Sequence, residues 1–207
     1  MTSSKPKAIL YDNDGMIMHG VRFSTKYAKE FGIDVAVMDP FFDGPFKACL
    51  TGKANLREEL SKVLNDWKWK GTVDELIDYW FGAGEELDKE VYDSVSALRK
   101  QGVIVCLATN QEEGRLAYFV KKFSYDKIFD EIFSSATLGV PKHGIEGLEK
   151  IANILEKKYG ISNRADVMFW DDREGNVERF NSVGFNAKLY TNYEAFKNIL
   201  KENKLSL

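Results

Sequence analysis

Ala8-Ile9-Leu10-Tyr11-Asp12-Asn13-Asp14-Gly15 is an apolar run that ends abruptly on two carboxylates and a glycine. Four apolar residues followed at once by charge predict a buried parallel strand emptying into a loop. Gly15 lets the backbone turn sharply away from the sheet. Two carboxylates two residues apart can take different parts in one reaction. One can attack an electrophile while the other holds a proton for the leaving oxygen. Two close carboxylates also repel each other, and a hard divalent cation relieves that repulsion. The competing reading is a calcium-type or plain turn-forming Asp-Asn-Asp-Gly loop. The calcium version lacks the bidentate glutamate expected at loop position twelve, where Phe23 stands.

Further strands are predicted downstream. Residues 103–108 form an apolar run ending in Thr109-Asn110, and 167–170 form another ending in Asp171-Asp172. Weaker candidates are 131–134 and 187–190. Between them lie helical patterns: Leu87, Val91, Val95 and Leu98, with Gly102 able to end that helix; Leu148, Ile151, Ile154 and Leu155; Val177, Phe180 and Val183; Phe196, Ile199 and Leu200. Alternating strands and helices predict an α/β fold, a Rossmann-like parallel sheet with helices on both faces.

Residues 16–84 break the alternation. Helical signals occur there without a convincing strand. Asn55-Leu56-Arg57-Glu58 and Thr72-Val73-Asp74-Glu75 read as capping boxes. Leu56, Leu60, Val63 and Leu64 follow the first, and Leu76, Ile77 and Trp80 the second. Trp67, Trp69, Trp80 and the nearby phenylalanines read as helix core. The expected organisation is a catalytic core of residues 1–15 and 85–207 with a small α-helical cap at 16–84.

The chain has 207 residues, 44% hydrophobic and 29% charged, enough for an ordinary core with a modest insertion. A net charge of −3 supplies no positive field for nucleic acid. The pairs Lys121-Lys122 and Lys157-Lys158 read as solvated helix faces. Cys49 and Cys106 are far apart and suggest neither a disulfide framework nor a thiolate metal site, which fits a reducing, cytoplasmic setting. No apolar segment reaches signal-peptide or bilayer-spanning length, so no membrane partner is expected. The oligomeric state is left open.

Four polar clusters stand at the predicted carboxyl ends of strands, the edge where open parallel sheets bind ligands. They are Asp12-Asn13-Asp14-Gly15, Thr109-Asn110, Lys142 in Gly139-Val140-Pro141-Lys142-His143-Gly144, and Trp170-Asp171-Asp172 with Asn176 beyond it. A hydroxyl and free backbone N–H groups at Thr109-Asn110 suit a phosphate oxygen, although Thr-Asn before a helix also reads as a plain N-cap. Lys142 offers one fixed positive charge in a Gly- and Pro-containing loop. Adjacent acids directly after an apolar strand are costly near a core unless a cation or donor compensates them, which favours a metal role for Asp171 and Asp172.

The order nucleophile pair, hydroxyl, lysine, acid pair resembles the haloacid dehalogenase-like hydrolase superfamily over nearly the whole chain. It is most similar to the phosphatase branch with a helical cap inserted after the first motif. Residues 42–60, with Gly44-Pro45-Phe46 and Thr51-Gly52-Lys53, look like that cap, and Leu107-Ala108-Thr109-Asn110-Gln111 and the run 169–178 look like its later motifs. The resemblance implies a Mg²⁺-dependent phosphatase acting on a small phosphorylated metabolite through an aspartyl-phosphate. It makes Asp12 the nucleophile and Asp14 the general acid and then the base. It assigns phosphate binding to Thr109, Asn110 and Lys142. It implies magnesium held by Asp12, the Asp14 carbonyl and Asp172, with Asp171 helping directly or through water. His143 stands where proline commonly follows the lysine, and Met16 where threonine, valine or isoleucine is usual. His19 and His143 have two readings, a part in the site or a loop histidine near the crevice. The rivals are a haloacid dehalogenase, a phosphomutase and a non-catalytic regulator that binds a phosphorylated metabolite.

Overall fold

The computed structural model describes residues 5–82 and 86–207. Its strands are β1 (Ala8–Tyr11), β2 (Met18–His19), β3 (Glu86–Leu87), β4 (Ile104–Thr109), β5 (Glu131–Ser134), β6 (Val167–Asp171) and β7 (Asn186–Leu189). Five of them form a parallel sheet in the order β5-β4-β1-β6-β7. The chain runs outward on one side of β1, returns, and then runs outward on the other. The crevice at this reversal lies beyond the carboxyl end of β1, where Asp12 stands.

The sheet separates two cores because successive strand residues face opposite ways. Ile9, Tyr11, Val105, Leu107, Met168 and Trp170 point to one face. They meet Val91, Val95 and Leu98 of the helix Lys89–Arg99, Phe119 of the helix Glu113–Phe123, and Phe196 of the helix Tyr193–Glu202. Ala8, Leu10, Cys106, Ala108 and Phe169 point to the other. There they meet Leu148, Ile151 and Leu155 of the helix Ile145–Tyr159 and Phe180 of the helix Glu174–Ser182. The predicted strands and helices are thus present, with boundaries shifted by a residue or two, except that Leu87, read as the first residue of a helical pattern, lies in β3 and the helix begins at Lys89.

A third core lies between β2 and β3. Phe23, Tyr27, Phe41, Trp67, Leu76 and Trp80 are buried together there, with Phe23 stacked on Trp80 at 4.7 Å and Phe42 on Trp67 at 5.9 Å. Burying a phenylalanine such as Phe41 contributes about 1.5–3 kcal/mol. Trp67 and Trp80 are therefore core residues, and Trp69 is half-buried with its indole N–H donated to Thr72 O. The Thr72–Glu75 capping box is complete: each side chain accepts the other residue's backbone N–H. At Asn55 only the forward half forms, from Glu58 N to Asn55 Oδ1.

The expectation of no strand within 16–84 is corrected by β2. Met18 and His19 pair antiparallel with Leu87 and Glu86 and close the base of the helical segment. Two residues are too few to show a period-two pattern in sequence. His19 accordingly lies in a strand, against Asp88, and not in a loop. The boundary drawn at 84–85 lies outside the described residues.

Candidate active site

Asp12 sits one residue past β1, and its N–H donates to Trp170 O on β6 at 3.0 Å. Because Tyr11 pairs with Trp170, Asp12 is level with Asp171 on the adjacent strand. Lys142 enters between them from the loop that joins the short helix Ser135–Leu138 to the helix Ile145–Tyr159. Its ammonium lies 2.7 Å from Asp12 Oδ1 and donates to Asp171 Oδ2 and to Ala108 O, each at 2.9 Å. The lysine is only 1% exposed, so this charge is fully spent inside the site. The helix Ile145–Tyr159 comes close beneath the lysine loop at Gly147, where a Cβ would lie 2.2 Å from Pro141 O.

Burial pushes the Asp12 carboxyl up to about 7; Lys142 pulls it down, while Asp171 and Asp14 add to the rise. Burial pulls the Lys142 ammonium down, but its two carboxylate partners outweigh this and hold it above its ordinary value. Asp171 is held on its other oxygen by Arg173 N at 3.0 Å and by Asn176 Nδ2 at 2.9 Å. Asn176, singled out in sequence, thus orients an acid. Asp172 stands at the rim. Its carboxyl is raised by burial and then by Asp171, with Arg173 opposing.

Asp12, Asp171 and Asp172 each offer a carboxylate oxygen within 4.8 Å of the others. Three carboxylates face one ammonium, and the donors are all oxygen. This set fits a hard divalent cation.

The loop after Asp12 folds back on Asn13. Asn13 O accepts from the N–H groups of Ile17 at 2.9 Å and Met18 at 2.8 Å, and Asn13 Oδ1 accepts from Tyr125 Oη at 2.9 Å. Gly15 completes the turn with φ +87°, and a Cβ there would lie 2.2 Å from Asp172 Oδ2. Only a glycine lets the first motif pass this close to the last one.

The folded loop brings Asp14 to Gln111 and Arg115, two residues that sequence reasoning missed. Gln111 Nε2 donates to Asp14 Oδ2, and Arg115 Nη2 donates to Asp14 Oδ1 at 3.2 Å. Their spacing of four, at the entry to the helix Glu113–Phe123, was the available signal, but nothing local names a partner about a hundred residues away.

Thr109 is the last residue of β4, two beyond Leu107, the partner of Tyr11, so it closes the same edge. The N-cap reading of Thr109-Asn110 is corrected: Glu112 is the cap and takes the N–H groups of Gly114 and Arg115. Two of the first-turn N–H groups of that helix are therefore committed to its own cap. The Asn110 side chain is also committed. Its Oδ1 accepts from Lys142 N at 2.9 Å, and its Nδ2 faces His143 Nδ1 at 2.8 Å. With Oδ1 accepting, Nδ2 must donate, which makes Nδ1 an acceptor in a neutral imidazole. Burial, then Arg179 and Lys142, hold the His143 pKa below its ordinary value, in keeping with that neutral ring.

A cavity of about 530 Å³ opens beside this edge, between the helical segment (Lys53, Arg57, Phe81) and the helix entry at Glu112 and Glu113. Among the described residues no helix is long and apolar enough to cross a membrane.

No protein-family model matches the sequence, and no curated protein matches it. Solved structures do. A HAD family enzyme from Bacteroides thetaiotaomicron superposes with a TM-score of 0.79 at 17% identity, over 95% of this chain and 98% of that one. The chain has the haloacid dehalogenase-like fold. A protein from Porphyromonas gingivalis described as a predicted HAD-like family hydrolase shares this fold with a TM-score of 0.77 at 20% identity, over 96% and 99% of the two chains. L-2-haloacid dehalogenase from Xanthobacter autotrophicus shares it at 0.62 and 14% identity, over 98% and 85%. The Bacteroides enzyme has also been crystallised in complex with magnesium and inorganic phosphate. Within the haloacid dehalogenase-like fold, Asp12, Lys142, Asp171 and Asp172 converge here on one strand edge, with Asp14 beside them.

Proposed function

We propose that the chain is a Mg²⁺-dependent hydrolase of small phosphate monoesters, working through an aspartyl-phosphate on Asp12. The observation that carries this reading is the cluster of Asp12, Asp171 and Asp172 around one buried lysine at the sheet's carboxyl edge. The magnesium and phosphate bound by the Bacteroides enzyme support the same chemistry.

Asp12 Oδ1 is engaged by Lys142 and by Asn13 N at 2.7 Å, while Oδ2 accepts no hydrogen bond from the described residues. Oδ2 is the attacking atom. It bonds to phosphorus as the ester P–O bond breaks, and Asp14 gives its proton to the departing oxygen. Asp14 then takes a proton from the water that attacks the phosphoryl-aspartate, and inorganic phosphate leaves as Asp12 is regenerated. Lys142 and Thr109 face the transferring group with a charge and a hydroxyl, which suits a reaction governed by positioning and charge neutralisation. Asn110 contributes by holding the Lys142–His143 loop.

Asp12, the Asp14 carbonyl and Asp172 would hold Mg²⁺. Asp171, with both oxygens already engaged, supports the ion through water or by orienting its neighbours. The bound ion would draw charge from the phosphoryl oxygens. The helices between β2 and β3 act as a cap over the site, with β2 and β3 as its stalk. On this reading the cap proper follows His19.

Phosphate release from p-nitrophenyl phosphate and from an alkyl phosphate, with Mg²⁺ and with EDTA, tests this reading. Activity should require Mg²⁺, and Asp12→Asn should abolish both turnover and trapping of a phospho-enzyme. Asp14→Asn should cost about 10²–10⁴-fold on the alkyl ester and less in the first step with p-nitrophenyl phosphate, whose leaving group needs little protonation. Full activity in Asp12→Asn, or halide release from a 2-haloacid in EDTA, would reject the phosphatase reading.

A further inference from the structure

The catalytic scheme leaves Arg115 and Gln111 without a task, yet both are built into the site. Asp14 sits on a glycine-flanked loop with its side chain 47% exposed, and its own loop offers that side chain one long contact, from Asn13 Nδ2 to Oδ1 at 3.4 Å. Across the crevice, Arg115 Nη2 reaches Asp14 Oδ1 at 3.2 Å, and Gln111 donates to Oδ2. The two side chains are also joined to each other, Arg115 Nη1 donating to Gln111 Oε1 at 3.0 Å. Both are anchored from behind. Gln111 is 2% exposed, the Arg115 guanidinium lies 4.9 Å from the centre of the Phe119 ring, and Glu112 caps the turn that carries them.

We propose that Arg115 and Gln111 form a preassembled clasp that positions the Asp14 carboxylate to take the proton of the water that attacks the phosphoryl-aspartate. The proposal rests on the phosphatase reading and adds two positioning residues to it. A flexible carboxyl must be brought to a defined place before it can act, and a misplacement of about 1 Å can cost on the order of 10²-fold. The clasp meets that demand with side chains already fixed by packing and hydrogen bonds. Arg115 acts through Asp14 and makes no contact with the phosphoryl group in this role.

A double-mutant cycle tests it with p-nitrophenyl phosphate and an alkyl phosphate. Arg115→Met keeps the stem on Phe119 and removes the donors. It should lower kcat on the alkyl ester by about 10- to 100-fold, within the range that acid-base help spans, with KM changed less than about twofold. Arg115→Lys should recover part of the loss, and Gln111→Ala should show a smaller loss of the same kind. In an Asp14→Asn background, Arg115→Met should change kcat by less than about threefold, because the residue it serves is already disabled. Equal losses with and without Asp14 would overturn the proposal. So would a raised KM at unchanged kcat, which would make Arg115 a substrate anchor. If Arg115→Met fails to fold, Gln111→Ala and Arg115→Lys carry the same cycle. Wild-type protein that releases no phosphate from either ester would defeat the phosphatase reading, and the clasp with it; active wild type with additive losses would defeat the clasp alone.

Discussion

Replacing Lys142 with methionine removes the ammonium that lies 2.7 Å from Asp12 and 2.9 Å from Asp171 while keeping the buried stem. Taking one partner from a buried ion pair destabilises by about 3–5 kcal/mol, since the remaining charge has neither water nor counter-ion. Asp171 keeps Arg173 N and Asn176, so most of the loss falls on Asp12, which keeps only Asn13 N among its described donors. At roughly 2–4 °C per kcal/mol for a chain of this size, the melting temperature in EDTA should fall by about 6–20 °C at pH 8. The pH dependence has a definite sign. Lys142 holds Asp12 down against burial, and without it the folded-state pKa rises above the present value of about 7. A raised folded pKa gives stability at low pH that is lost as pH rises, so the deficit should be smaller at pH 6 than at pH 8. Adding Asp12→Asn should restore part of the lost stability, because it removes the stranded charge. Scanning calorimetry of both variants at the two pH values decides the matter. A loss under about 2 °C at pH 8, or strictly additive effects in the double variant, would refute the reasoning.

Gly15→Ala should lower stability by about 1–2 kcal/mol from its left-handed backbone alone. Its Cβ would also displace the Asp172 carboxylate, and titration calorimetry should then show Mg²⁺ affinity reduced about 10- to 100-fold. Asp172→Ala should weaken Mg²⁺ at least as much; unchanged affinity would remove Asp172 from the ligand set. His143 has a folded pKa below its ordinary value, so its contribution to stability is present above that value and lost as pH falls through it. Urea midpoints at pH 7.5 and 5.5 should therefore differ less in His143→Gln than in the wild type.

The parts of the site that were legible in sequence share one property: each chemical group directly follows its own apolar strand. Asp12 after β1, Thr109 at the end of β4 and Asp171-Asp172 at the end of β6 are placed by local chain order once the strands are parallel. Lys142 was legible as a residue but not as a buried one, since its burial depends on two carboxylates from different strands. Asn110 was legible as part of a motif, yet its side chain holds the lysine loop. The pairing of β2 with β3 escaped because two residues carry no readable period.

Hydrophobic periodicity and strand-end polarity by themselves determined the parallel α/β architecture, the helical interruption and the acids at the sheet edge. These follow from forces acting within one element: burial of an apolar face, and the cost of hiding charge. Tertiary structure alone decided which oxygen of Asp12 is paired, that Glu112 caps the helix, and that Arg115 and Gln111 reach Asp14. The last contacts join residues 97 and 101 positions apart. Such contacts depend on how the loop after β1 folds back over the sheet edge, and directional hydrogen bonds across a crevice leave no periodic trace in either segment that makes them.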